Sequence, residues 1–77
     1  MSCDGWSVGD RCKSMVAFQI QQLQIGGPPI VSQINVGDEG IVRTKHEQAH
    51  MLNVFWERLK RVLPVTHNQV HNLRQIE

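Results

Sequence analysis

Gly37 and Gly40 bracket an acidic turn that opens directly into a β-branched pair. This stretch, residues 36–42 (Val-Gly-Asp-Glu-Gly-Ile-Val), limits what the chain can fold into more than any other. Glycine frees the backbone for positive φ, and an aspartate beside it can accept nearby backbone N–H groups. Ile41 and Val42 then favour extended backbone. A partner segment follows further along. Leu52, Val54 and Trp56 alternate with Asn53, Phe55 and Glu57, the two-residue period of a half-buried strand. The two segments predict an antiparallel hairpin joined through the polar residues 44–50. Trp56 becomes the largest core side chain, and Phe55 falls on the opposite, partly exposed face.

The same Val-Gly-Asp triplet occurs at Val8, Gly9 and Asp10, ahead of a predicted strand at about residues 11–18. Each copy reads as a turn that launches a strand; three residues are too few to establish an internal repeat. Residues 19–35 read as a long first loop, with Gln21, Leu23 and Ile25 suggesting an extended arm and residues 30–36 a second extended stretch, because Gly26, Gly27, Pro28 and Pro29 break any regular element between them. A loop of that length in a small domain is commonly functional. Residues 59–65 give a further strand closed by Pro64. Thr66 to Gln69 supply turn chemistry, and residues 70–76 finish the chain on Leu73 and Ile76. The predicted core is Val8, Val16, Ile41, Val42, Leu52, Val54, Trp56, Val62 and Leu73. A competing pattern exists. Leu52, Phe55, Trp56, Leu59, Val62 and Leu63 also fit a helical stripe, which would make residues 46–63 one amphipathic helix and the fold α+β. The glycine turn needs a β partner, and that favours strands.

At 77 residues, 40% hydrophobic and 19% charged, the chain supports one domain, residues 1–77, with a thin core. A formal net charge of +1 gives no strong field for nucleic acid or an anionic membrane. No apolar run approaches the ~18 residues of a membrane span, and the first residues lack the basic start and apolar stretch of a signal peptide. The expectation is a soluble, cytoplasmic protein. Cys3 and Cys12 lack Cys-x-x-Cys spacing and are expected as free thiols of a reducing compartment.

Val8-Gly9-Asp10, residues 36–42, Asn53 to Glu57 and Leu73 together resemble the layout of SH3-like small barrels. That layout has a Gly-Asp turn before the first strand, a Gly-x-Val in the second and a Val-x-Trp with an acid in the third. A leucine follows near the last short strand, often after a single helical turn. KOW-type modules, the mind-bomb type domain and the variable chain of ferredoxin–thioredoxin reductase share it. The resemblance implies an all-β, five-stranded SH3-like barrel with a long first loop. It implies a fold and not an activity.

Catalysis is not expected, since the chain lacks Gly-x-Ser-x-Gly, a phosphate-binding glycine loop and His-Glu-x-x-His. The four histidines fall into two pairs, His46 with His50 and His67 with His71. On a helix each pair could share a metal ion; on a strand its members would stand about 13 Å apart. No cysteine pair or carboxylate cluster completes a ligand set, so no metal and no other cofactor is expected. Histidine-based metal binding stands as a second alternative. Arg58, Lys60 and Arg61 form the main basic cluster, with Arg43 and Lys45 brought towards it across the hairpin. With Phe55 these make the expected partner-binding set: Arg43, Lys45, Phe55, Arg58, Lys60 and Arg61. The expected function is a non-catalytic interaction module or small accessory subunit that binds another protein, a second copy of the chain included. A KOW-type nucleic-acid-binding module, stacking bases on Phe55, is the first alternative. The sparse basic residues argue against it.

Overall fold

A computed structural model describes residues 5–76, and within them the chain is all-β. The strands are β1 (Arg11–Ser14), β2 (Phe18–Gln22), β3 (Ile30–Ile34), β4 (Glu39–His46), β5 (Met51–Trp56), β6 (Arg61–Thr66) and β7 (Leu73–Ile76). A single 3-10 turn, Val70–Asn72, leads into β7. Five strands form one antiparallel sheet in the order β6-β5-β4-β1-β7, and β2 pairs with β3 in a separate two-stranded sheet. The expected closed five-stranded barrel is therefore corrected: seven strands form two sheets, and hydrogen bonding does not close them into a barrel. Pro64 accounts for part of the opening. It sits inside β6 opposite Asn53 and has no N–H to offer a further strand, so β6 remains an edge. Between β6 and β2 the Gln69 side chain reaches over, its Nε2 donating to the Gln19 carbonyl at 2.8 Å.

The alternative helix over residues 46–63 does not form. That stretch holds the end of β4, all of β5 and the start of β6. Register explains why strands win. Leu52 pairs with Val65 and Val54 with Leu63, so alternation buries all four together with Trp56. On a helix Val54 would leave the apolar stripe. β4 carries one extra residue, Arg43, where the register with β5 shifts between Val42 and Thr44.

Residues 19–35 are not a long loop, and their extended stretches on either side of Gly26 to Pro29 include paired strands. They form most of a hairpin in which Phe18 pairs with Ile34 and Ile20 with Ser32, turning through the Gly-Gly-Pro-Pro segment. The predicted strand over residues 11–18 is likewise split. After Ser14 the chain turns a corner, with Ser14 Oγ donating to the Val16 carbonyl at 2.5 Å and the Met15 N–H donating to Asn72. Phe18 meets Trp56 edge to face, with centroids 6.4 Å apart at 73°, and joins the hairpin to the large sheet.

The two Val-Gly-Asp triplets fold alike. In both, the Asp N–H donates to the carbonyl three residues earlier (Asp10 to Ser7 and Asp38 to Asn35, each 3.0 Å). In both, the Asp carboxylate takes the N–H of that same residue at 2.8 Å. Gly9 and Gly37 sit at φ +95° and +91°, as the third position of this turn requires. The Gly9 N–H donates to Val42 (2.7 Å) and the Gly37 N–H to Ser14 (2.8 Å); Val42 donates back to Asp10 (2.9 Å) and Ser14 to Asp38 (2.8 Å). The two halves of β1–β4 are thus related by a local two-fold axis that passes between Cys12 and Gly40, which face each other.

Of the predicted core, Val42, Leu52, Val54, Trp56 and Leu73 are buried. Val8, Val16 and Val62 are corrected to exposed (63%, 44% and 43%), and Ile41 is half-buried on the outer face. Their places are taken by Trp6, Cys12, Ile20, Ile34, Leu63, Val65 and Val70. Cys12 is free and fully buried, and burial pushes its thiol up to about 11. Such a thiol is a poor nucleophile. The Cys3 half of the thiol expectation lies outside the described residues. Among those residues no helix is long and apolar enough to cross a membrane.

Candidate functional site

Because β4, β5 and β6 alternate, the residues between the buried ones share one outer face. Val62, Phe55 and Ile41 stand in register across β6, β5 and β4, and Arg11 and Ile76 continue the row over β1 and β7. Phe55 and Ile41 are half-buried and Val62 is exposed. The extra residue at the β4 bulge aims its side chain across this row: the Arg43 guanidinium carbon lies 5.8 Å from the Phe55 ring centroid. Such a contact contributes about 0.5–1 kcal/mol at an exposed site. Its larger consequence is to hold a cation and an aromatic ring together on an apolar stripe. In the next row Lys13 stands between Arg74 and Glu39, while Glu39 accepts from Arg11 at 3.0 Å. Beside Lys13 and Arg74 an open groove of about 560 Å³ is lined by Met15, Val36 and Ile76.

No family model, curated protein or solved structure matches this chain.

Of the expected partner-binding residues, the fold brings Arg43 and Phe55 together and disperses the others. Lys45 stands opposite Leu52, with its ammonium 3.6 Å from Glu47. Lys60 ends the β5–β6 turn in the left-handed region (φ +56°), and Arg61 opens β6 opposite Trp56. Arg58 is tied elsewhere. Its Nε lies 3.0 Å from both Asp38 carboxylate oxygens, and one terminal nitrogen donates to the Gln33 carbonyl at 2.6 Å. This clamp joins the second Val-Gly-Asp turn to the β3 edge. Sequence reasoning missed Arg11, Lys13 and Arg74; the alternation of residues 11–14 was the available signal. The histidine contact the fold makes lies between segments rather than within one. His46 hydrogen-bonds the Asn53 amide at 3.0 Å, whereas His50 faces His67. Among the described residues no three His, Cys, Asp or Glu side chains gather as a metal site.

The Arg58 guanidinium holds the Asp38 carboxyl below its ordinary value, chiefly through their hydrogen bonds. A carboxyl depressed in the folded state stabilises fully above the usual carboxylate range, and that stability is lost as pH falls through the depressed value. Arg58→Gln is therefore expected to raise the Asp38 titration and flatten the acid limb of stability. NMR titration of Asp38, with urea midpoints between about pH 5 and 2, measures both. Solvent screening at the half-exposed guanidinium keeps the effect modest. An Asp38 titration unchanged in the variant would refute the clamp.

Proposed function

We propose that this protein is a non-catalytic interaction module that receives an acidic segment of another protein on the outer face of its large sheet. The observation carrying this reading is Arg43 held over Phe55 on a row that continues through Ile41 and Val62. An aromatic anchor beside a cation, with apolar neighbours, is the composition of an interface centre. Lys13 and Arg74 add positive charge on the same face, where Arg11 is paired with Glu39, and this suits an acidic partner. The SH3-like resemblance belongs to the same proposal. It is supported by the Gly-Asp turn ahead of β1 and by the 3-10 turn that delivers Leu73 to β7. Here the hairpin of β2 and β3 fills the place of the long first loop, and Leu23 and Ile25 stand exposed near its tip (85% and 105%).

The test is capture of a stoichiometric partner from the native source, repeated with Phe55→Ala and with Arg43→Glu. Loss of the central aromatic is expected to weaken binding by at least about tenfold, as truncated interface anchors do. Retention of the same partner by both variants would refute the assigned face. Single-stranded nucleic acid is the second reading, favoured by the same cation–aromatic pair. Oligonucleotide binding that falls steeply with salt would replace the protein reading with that one.

A further inference from the structure

A different pair of side chains, on the turns at one end of β5 and β6, carries an inference independent of the outer face. The His50 and His67 rings lie with centroids 6.2 Å apart at 71°. The β5–β6 register explains the meeting. Met51 pairs with Thr66 at the end of the ladder, so residues 50 and 67 occupy the next cross-strand position. Two turns hold them there. The His50 N–H donates to Glu47 at 3.2 Å, with His50 in the left-handed region (φ +50°). Beyond His67, the Gln69 N–H donates to Thr66 at 2.9 Å, and the Gln69 side-chain oxygen accepts from the Thr66 hydroxyl at 3.3 Å. Both histidines are exposed.

Imidazole nitrogens bind zinc-like ions at about 2.0–2.1 Å, which puts a ring centroid about 3.2 Å from the ion and the centroids of two tetrahedral ligands about 5.2 Å apart. The observed separation is about 1 Å longer than that. Both rings are exposed, so binding requires a modest side-chain rotation to bring one nitrogen of each to a common point. We propose that His50 and His67 together bind one borderline divalent cation of the Zn²⁺ or Cu²⁺ class. Neutral imidazole suits these ions, and Ca²⁺ or Mg²⁺ would prefer oxygen. With two protein ligands the remaining positions are open to water, so the site exchanges its ion readily. His46 and His71 take no part. His46 is engaged by Asn53, and His71 lies on the 3-10 turn.

The experiment titrates the full chain with zinc chloride in a Cys3→Ser background, following imidazole NMR signals and the heat of binding. Saturation at one ion per chain is expected, with the His50 and His67 resonances moving together. His50→Ala and His67→Ala should each weaken binding by more than the roughly 10–100-fold that outer-sphere partners of a metal ligand command. His46→Ala and His71→Ala should bind as the parent does. All four positions are exposed, and a matched thermal melt checks that each variant folds. No saturable binding up to millimolar zinc would overturn the proposal. So would undiminished binding by the His50→Ala/His67→Ala double variant, or one ion shared by two chains.

Discussion

Trp56→Ala is expected to lose about 3–5 kcal/mol of folding stability, much of what a domain this small possesses. The indole is 1% exposed and closes β5 against β4 and β6, and Phe18 brings the small sheet onto it. Removing it leaves a cavity where both sheets meet, so neither sheet can collapse alone to fill it. The loss is read as a fall in the urea midpoint. If the variant is unfolded throughout, Trp56→Phe keeps the prediction measurable. The Trp56 Nε1 donor is buried and has no hydrogen-bond partner among the described residues. An unsatisfied buried donor costs about 1–3 kcal/mol, so phenylalanine removes that cost while giving up part of the packing. Trp56→Phe should therefore lie within about 2 kcal/mol of the parent. An alanine variant that melts with the parent would mean that Trp56 does not join the sheets. A phenylalanine variant as damaged as alanine would mean that Nε1 has an acceptor.

The readable parts of this chain were those fixed by local chemistry. Gly37-Asp38 and the Leu52-Val54-Trp56 alternation each lie within a few residues, and the hairpin of β4 and β5 follows from them. β6 was read out of phase. Val62 and Leu63 are both apolar, and only the register with β5 decides that Leu63 faces inward and Val62 outward. The pairing of β2 with β3 is hidden for a related reason. Its glutamines mask a buried stripe of Ile20, Ser32 and Ile34, which becomes a stripe only once the two strands pair. The site divides in the same way. Arg43 and Phe55 are hairpin neighbours and could be associated from sequence. Arg58 is captured by an acid 20 positions earlier, and Arg74 reaches the outer face only because β7 returns beside β1. The histidine spacing within each segment misled, because the contact lies between two different turns.

The local two-fold relation between the two turns places one unusual demand on the sequence. At its centre Cys12 and Gly40 oppose each other, and Gly40 also faces Trp56 in the ladder with β5. A Cβ at Gly40 would fall 2.6 Å from Val54 Cγ1 and 2.8 Å from the Phe55 carbonyl oxygen. The valine methyl can turn a little. The carbonyl belongs to the ladder and moves only with the strand. Gly40→Ala is accordingly expected to cost about 1–3 kcal/mol through overpacking, and Gly40→Val more. Gly9 is the informative contrast. Its φ of +95° penalises alanine, but nothing lies within 4 Å of the added carbon. The cost there is conformational, about 1–2 kcal/mol, and asparagine, which tolerates the left-handed region, should recover most of it. No side chain should rescue position 40, where the obstacle is space. Chemical denaturation of Gly40→Ala, Gly40→Asn, Gly9→Ala and Gly9→Asn separates the two causes. Recovery by asparagine at Gly40 would show that β4 is not pressed against β5 at this point, and its failure at Gly9 would show that the cost there is not conformational.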